Sequence, residues 1–181
     1  ELPGWKKKPG DWFYGKIKDK EVDADSATLP AAWILTDTRE KPNYQDGKQM
    51  YKDDVLGETL EDLRKKKVIT AFKVKGSRFK ISWDELHKPE VKKAIAEAHD
   101  VPEEYLRLPR AIEWNYLGNA HHPTWGDTDT WEWFEDSYQK GTRRLGGGNS
   151  GSGGLSGVDW SAPSGRHDSL GFRPQVVFSQ P

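Results

Sequence analysis

The first feature of this sequence is an absence: it contains no cysteine. A chain without cysteine forms no disulfides, builds no thiolate metal site and has no cysteine nucleophile, although its redox compartment stays open. An excess of charge of one sign is also missing, because 28 lysines and arginines stand against 29 aspartates and glutamates and the net charge is −1. Such a balance provides no general attraction to nucleic acid, so nucleic acid is not an expected partner.

Long hydrophobic runs are missing as well. The longest apolar run covers residues 29–35, and Pro30 interrupts it. A membrane-spanning helix needs roughly 20 apolar residues, so no membrane insertion is expected. The first residues, which include three consecutive lysines, lack the apolar segment of a signal peptide.

Aromatic residues are abundant, with nine tryptophans, six tyrosines and six phenylalanines. Disordered chains are poor in aromatics, so this composition indicates a folded protein despite a charged fraction of 31%. A length of 181 residues fits one domain with a real core. We therefore expect a single domain over residues 1–181, with an aromatic-rich interior.

The N-terminal half gives four local predictions. The aromatic residues 12–14 favour an edge strand, and residues 31–35 favour a buried strand or a short helix. Apolar residues recur at helical spacing within residues 53–67, which predicts a helix. Alternating apolar residues around a Gly-Ser pair predict a hairpin over residues 68–81.

Helix boundary signals are clearer in the middle of the chain. Ser82 followed three residues later by Glu85 is the pattern of a capping box, which predicts that a helix starts there. Pro89 ends that helix and suits the first turn of another over residues 90–99. Residues 38–46 carry turn chemistry and are expected to form a loop.

Four motifs in the C-terminal part occur in the order of a known family. Residues 106–116 resemble the Arg-Leu-Pro-x-x-x-Glu-Trp motif of the formylglycine-generating-enzyme (sulfatase-modifying factor) superfamily. Residues 131–136 resemble its Trp-Glu-Trp-x-x-Asp motif, and residues 143–148 its Arg-x-x-x-Gly-Gly motif. Residues 171–173 match its terminal Gly-Phe-Arg. Each motif is weak alone, but the ordered set is specific.

The resemblance implies an α+β fold. It is a C-type lectin fold of the formylglycine-generating-enzyme-like variant, with a small twisted antiparallel sheet, helices and long irregular loops. Local signals agree, because Pro109 stands just before a predicted helix over residues 111–117. Trp114, Trp131 and Trp133 are expected in the core, and Glu113 is expected to pair with Arg173.

The enzymes of this superfamily hold copper with a cysteine pair, and this chain has no cysteine. We therefore expect no enzyme activity, no cofactor and no catalytic residue. No metal site is predicted either. Two metal alternatives stay open: the adjacent His121 and His122 with nearby aspartates, and calcium, which some members hold near the Trp-Glu-Trp motif. The oxygen donors for calcium would be Asp127, Asp129 and Glu132.

A second branch of the same fold fits better, namely the variable proteins of diversity-generating retroelements. In that family a reverse transcriptase miscopies adenines, and the altered copy replaces the 3′ end of the coding sequence. The changed residues are displayed on a lectin-fold surface that binds ligand. Residues 149–169 resemble the family's variable region, with residues 171–173 as its fixed end.

Composition changes sharply at this region. Ten of the 18 glycines lie within residues 141–181, and no lysine or glutamate follows Lys140. Binding surfaces that tolerate change favour serine, glycine and aromatic residues. We predict that one solvent-facing patch binds ligand through Ser150, Ser152, Ser156, Val158, Asp159, Trp160, Ser161, Ser164, Arg166, His167 and Asp168.

The resulting prediction is a non-enzymatic, hypervariable ligand-binding display protein on a virion tail tip or a cell surface. Its partner would be a protein or glycan ligand on a cell surface, and the resemblance implies that this ligand differs as the variable residues change. Two alternatives remain open: a carbohydrate-binding lectin of fixed specificity, and an oxidase of the formylglycine-generating type. Oligomeric state is not predicted.

Overall fold

The computed structural model describes residues 5–179 and has an α+β architecture with five helices and two sheets. The helices are α1 (Asp11–Lys18), α2 (Gly57–Lys65), α3 (Trp83–Leu86), α4 (Pro89–Ala98) and α5 (Ala111–His121). The strands are β1 (Ala32–Thr36), β2 (Leu106–Arg107), β3 (Trp131–Tyr138), β4 (Arg143–Gly147), β5 (Val158–Ser161), β6 (Leu170–Gly171) and β7 (Gln175–Ser179).

The strands form two sheets, one of three strands and one of four. The three-stranded sheet has the order β1-β7-β2, and both pairings are antiparallel. The four-stranded sheet has the order β5-β4-β3-β6, with β6 parallel to β3. The α+β class is therefore confirmed, although the sheets are mixed in part rather than one small antiparallel sheet.

The strand β3 separates two hydrophobic clusters. Side chains alternate between the faces of a strand, so Trp133 enters one cluster and Phe134 the other. The Trp133 cluster packs under α2 and α4, and includes Phe172. The Phe134 cluster packs under α1 and α5, and includes Trp114 and Trp125. Both faces of β3 are thus covered, which makes it the centre of the fold.

Several local predictions are confirmed. Ser82 and Glu85 form a complete capping box at the start of α3. Pro89 occupies the first turn of α4, which ends at Ala98. The helix predicted over residues 111–117 is α5 and continues to His121, so the paired histidines lie at a helix end rather than in a strand.

Other local predictions are wrong. Residues 12–14 lie in α1, where Phe13 is fully buried, because tertiary packing overrides the weak strand preference of aromatics. Residues 68–81 form no strand. Arg78 in that segment is fully buried between Asp37 and Asp54, at 2.5 and 2.6 Å, which holds the segment as an irregular loop.

Two further corrections concern exposure and ion pairing. The strand predicted over residues 31–35 forms as β1, but the side chains of Trp33 and Leu35 are 69% and 59% exposed rather than buried. The expected pair between Glu113 and Arg173 is wrong. Glu113 binds Arg107 through two hydrogen bonds of 2.5 and 2.8 Å, because both lie near the start of α5.

Candidate ligand-binding pocket

Two loops follow β4 and β5, and together they contain the residues predicted to bind ligand. The first loop, residues 148–157, turns through two short 3-10 segments, Ser150–Ser152 and Gly154–Ser156. The second loop, residues 162–169, connects β5 to β6. Each loop leaves from the four-stranded sheet, so the sheet sets the position of both.

Leu155 anchors the first loop to the core. Its side chain is 3% exposed and packs in the hydrophobic cluster that contains Trp114. Leu155 fits because Gly126 and Gly118 have no side chain: a Cβ on Gly126 would lie 2.6 Å from the Leu155 nitrogen. The Asn115 amide also donates to the Leu155 carbonyl at 2.6 Å. A glycine-rich and serine-rich loop is therefore a fixed structure in this protein.

A buried lysine holds the start of the same loop. The Lys41 ammonium donates to the carbonyls of Thr130 and Gly148, at 2.5 and 2.7 Å. Burial lowers the pKa of Lys41 to about 8, against the opposing attraction of the Glu132 charge. Because Lys41 comes from the loop before α2, it ties the predicted variable region to the N-terminal half of the chain.

The second loop is anchored at both of its ends. The Asp84 nitrogen donates to the Pro163 carbonyl at 3.1 Å, and the Trp131 nitrogen donates to the Ser169 carbonyl at 2.8 Å. Between these points Lys80 binds the Asp168 carboxylate at 2.8 Å. The Arg166 guanidinium lies 3.2 Å from Glu85, a residue of the α3 capping box.

A cavity of about 210 Å³ opens between the second loop and the sheet. Its apolar walls are Trp131, Trp133 and Leu170, and its polar rim is Asp159, Ser161 and His167. Apolar walls with a few oriented polar groups are the usual composition of a ligand site, although this volume suits one ring or one side chain rather than a whole drug-sized molecule.

The polar rim presents both donors and acceptors. The Ser161 hydroxyl lies 3.1 Å from Nε2 of His167, and the two therefore share a hydrogen bond. Asp159 accepts a hydrogen bond from the Trp160 nitrogen at 2.8 Å through one carboxylate oxygen. The other oxygen has no hydrogen-bond or ion-pair partner within residues 5–179, so a ligand hydroxyl or amine has an acceptor there.

The register of β5 on β4 decides which predicted residues border this cavity. Asp159 lies opposite Gly146, and Gly146 lies opposite Trp133, so Asp159 shares the face of the cavity. Trp160 lies opposite Leu145, on the other face. Trp160 also borders the cavity, but its ring centroid lies 6.2 Å from that of Tyr138, and the Arg143 guanidinium lies over the ring at 4.9 Å from the centroid.

The eleven predicted residues therefore fall into three groups rather than one patch, because alternation along β5 and the two separate loops disperse them. The cavity and its bordering loop hold Asp159, Ser161, Ser164, Arg166, His167 and Asp168. The turns of the first loop hold Ser150, Ser152 and Ser156. The opposite face of β5 holds Val158 and Trp160.

Sequence reasoning missed the residues that form the cavity walls. Trp131 and Trp133 were expected in the core, and Trp133 is indeed fully buried, yet both line the cavity. Trp131 is only partly buried. Their spacing of two residues in a strand was the available signal, since it places both rings on one face.

The calcium alternative is not supported by the positions of its proposed donors. Both Glu132 oxygens bind Arg173, at 2.9 and 3.2 Å, and one also accepts from the Trp114 indole at 2.6 Å. Asp129 accepts from the Tyr44 nitrogen at 2.6 Å. Within residues 5–179, no group of three or more histidine, aspartate or glutamate side chains is placed to hold a metal ion.

No helix within residues 5–179 is long and apolar enough to cross a membrane. No protein-family model, curated protein or solved structure matches this chain.

Proposed function

We propose that this chain is a ligand-binding display protein without enzyme activity, of the variable-protein type found in diversity-generating retroelements. Its fold would be the C-type lectin fold in its formylglycine-generating-enzyme-like variant. It would act on a virion tail tip or a cell surface, where it binds a protein or glycan ligand. Residues 149–169 would be its diversified region.

One observation supports this proposal most: exposed side chains stand on a backbone that is hydrogen-bonded to the rest of the fold. Asp159, Ser164, Arg166 and His167 are exposed, whereas the intervening backbone is hydrogen-bonded to β3, α3 and the loop around Lys80. Substitutions at exposed positions usually change stability by no more than about 0.5 kcal/mol. The exposed residues can therefore vary while the backbone stays in place.

The anchors also reduce the cost of binding. A loop that is already ordered loses little conformational entropy when its ligand arrives. Gly147 and Leu155 are buried in the described structure, and Lys41 donates to the carbonyl of Gly148, the first residue of the first loop. Fixed anchors and exposed variable positions are what a protein needs if its ligand changes while its fold does not.

The proposal is tested by comparing the gene with its sister copies and with the DNA that follows it. We expect a near-repeat of the 3′ end next to a reverse-transcriptase gene. We expect substitutions among sister copies to occur at adenine-containing template codons and to concentrate at the exposed positions of residues 149–169. Substitutions spread evenly over exposed positions of the whole chain would contradict the proposal.

The cavity favours a second candidate, a carbohydrate-binding lectin of fixed specificity. Trp131 provides a partly exposed ring, and Asp159 and Ser161 provide the hydrogen-bonding groups that orient a sugar. Sister sequences distinguish the two candidates, because fixed specificity requires Asp159, Ser161 and His167 to be retained. An oxidase of the formylglycine-generating type is the least supported, since its copper-binding cysteines are missing.

A further inference from the structure

The cavity beside the second loop carries one unpaired charge. Asp159 is the only aspartate, glutamate, lysine or arginine among its lining residues in the described structure. The Asp159 side chain is exposed, and one of its carboxylate oxygens accepts from the Trp160 nitrogen at 2.8 Å. Its other oxygen has no partner within residues 5–179. The cavity therefore presents a negative charge and an unused acceptor to any molecule that enters it.

Two cations of the neighbouring segments are paired with other carboxylates. The Lys80 ammonium binds Asp168 at 2.8 Å, and the Arg166 guanidinium lies 3.2 Å from Glu85. Each pair brings opposite charges together, so neither pair adds a net charge beside the cavity. The charge of Asp159 therefore keeps no counter-charge from these two loops.

Two arginines of β4 lie over tryptophan rings rather than beside Asp159. The Arg143 guanidinium is 4.9 Å from the ring centroid of Trp160, and the Arg144 guanidinium is 3.7 Å from that of Trp83. A positive group over the face of an indole is attracted by the negative charge density of the ring. Indole rings around this sheet therefore already hold cations.

The cavity contains an indole ring that holds no cation of the chain. Trp131 lines the cavity and is only partly buried, and no lysine or arginine of the described residues lies over its ring. Trp133 shares that face of β3, and its indole nitrogen donates to the Ile81 carbonyl at 3.0 Å, which fixes the ring. Gly146 stands between Trp133 and Asp159 in the sheet and adds no side chain there. The space between the rings and the carboxylate is therefore open.

We propose that this cavity binds a basic side chain of a protein ligand, either a lysine ammonium or an arginine guanidinium. The positive group lies over the Trp131 ring and donates a hydrogen bond to the free carboxylate oxygen of Asp159. A cavity of about 210 Å³ has room for one side chain of this kind. The inference rests on the proposed ligand-binding function, and it specifies the chemistry of the ligand that this set of residues selects.

The cost of removing water from Asp159 favours a cation over a neutral or acidic ligand. A ligand that covers the carboxylate takes a charge out of water, and only an opposite charge compensates that loss. A sugar hydroxyl can donate to the free oxygen but brings no charge. An acidic group adds repulsion. The unpaired carboxylate therefore favours a basic protein surface over a glycan.

Two small probes that differ in charge test the inference. N-acetyl-arginine methylamide carries a guanidinium, whereas N-acetyl-citrulline methylamide has nearly the same shape and a neutral urea group. Each is titrated into isotope-labelled protein up to roughly 50 mM, and the indole N–H signals are followed by NMR. The arginine probe should bind about tenfold more tightly, and the Trp131 signal should move with it.

Asp159→Asn tests the charge, because it keeps the shape of the side chain. The arginine and citrulline probes should then bind with affinities within about twofold of each other. Asp19→Asn is the matched control, since Asp19 is exposed at the end of α1 and its substitution changes the net charge by the same amount. This control should keep the wild-type preference. Both substituted side chains are exposed, so both variants should fold.

Trp131→Leu tests the indole ring. It should weaken the arginine probe severalfold and change the citrulline probe less, because a leucine side chain does not attract a cation. Trp131→Phe keeps an aromatic ring and should restore part of the preference. Circular dichroism verifies that both variants fold, and the loss of one indole signal in each identifies the Trp131 resonance.

Each result decides the question. A preference for the arginine probe that Asp159→Asn removes and Asp19→Asn keeps supports the inference. Equal affinities for the two probes, or no binding of either, overturn it. Tighter binding of N-acetyl-glutamate methylamide or of methyl glucoside also overturns it, since the cavity then selects an acid or a sugar. A preference that survives Asp159→Asn does the same, because another group then meets the charge.

Failure of this inference is distinguishable from failure of the proposed function. If sister copies vary within residues 149–169 but the two probes bind equally, the display function stands and only the basic ligand is rejected. If the probes show the charge preference but substitutions spread evenly over the exposed positions of the chain, the cavity binds cations and the display function is rejected.

Discussion

Arg173 and Glu132 form an ion pair from which solvent is fully excluded. The guanidinium lies 2.9 and 3.2 Å from the two carboxylate oxygens, and neither side chain has any exposed fraction. Burial alone would raise the pKa of Glu132, but the charges of Arg173 and Lys41 and the hydrogen bonds from Arg173 and Tyr51 outweigh it and lower that pKa. The pair joins β3 to the residues that follow β6, so it fixes the backbone just after the proposed variable region.

Glu132→Gln should strongly destabilise the protein. It leaves the Arg173 charge buried without its counter-charge, and breaking a buried pair in this way costs about 3 to 5 kcal/mol. Urea unfolding measures the loss. Glu97→Gln is the control, since Glu97 pairs with Lys93 at 3.8 Å while both side chains are largely exposed. Equal midpoints for the two variants would contradict a structural role for the Arg173 pair.

Gly147→Ala should destabilise the end of β4, from which the first loop starts. A Cβ at Gly147 would lie 2.8 Å from the ring of Phe134, which is itself buried, so the ring or the strand must move. Overpacking of this kind costs about 1 to 3 kcal/mol.

Ser164→Ala is the matched change in the second loop. Ser164 is exposed, so the free energy of unfolding of the Ser164→Ala variant should stay within about 0.5 kcal/mol of the wild-type value. Thermal unfolding of both variants gives the comparison. If Ser164→Ala lost as much stability as Gly147→Ala, exposed loop positions would not tolerate substitution better than buried ones, which would contradict the proposal.

Asp136→Asn should remove one component of the pH dependence of stability. Burial raises the pKa of Asp136 to about 6, although hydrogen bonds from Ser26 and the Ala111 nitrogen and the charge of Arg110 act against it. The folded state thus holds a proton that the unfolded state has released. This stabilisation is complete below the ordinary value of 3.8 and is lost as pH rises through about 6.

The measurement is urea unfolding of both proteins at pH 4 and pH 7. Each unit of pKa shift corresponds to about 1.4 kcal/mol, so the wild type should lose about 2 kcal/mol relative to Asp136→Asn across this range. Comparing the two proteins cancels the titration of the other carboxylates. A difference that stays constant with pH would show that Asp136 titrates as an ordinary aspartate.

Randomising the cavity rim should yield binders. A library varied at Asp159, Ser161, Ser164, Arg166 and His167 should give folded proteins that bind a chosen purified protein target. A library of equal size varied at Lys18, Asp19, Lys65, Lys93 and Glu97 is the control, because those positions are exposed but are spread over the end of α1, the end of α2 and α4. The proposal requires a clearly higher yield of binders from the first library, and equal yields would contradict it.

Local sequence signals determined those elements that depend on neighbouring residues. The capping box of Ser82 and Glu85, the proline at the start of α4 and Pro109 just before α5 act within one or two turns, so each of these helix starts was predictable. The motifs of the C-terminal part also indicated that residues 171–173 form the fixed end of the variable region. Composition separated the glycine-rich loops from the charged N-terminal part.

Only the tertiary structure decided contacts between distant residues. The sequence does not show which arginine pairs with which glutamate. Packing brings Arg173 to Glu132 and Arg107 to Glu113. Leu155 looks like one apolar residue in a flexible loop, but two glycines from other segments make room for it in the core. Trp160 looks like a binding residue, but register turns its ring away from Asp159. The order of residues determines which side chains of a strand share a face. Which of the two faces borders the cavity is decided by the register of β5 on β4 and of β4 on β3.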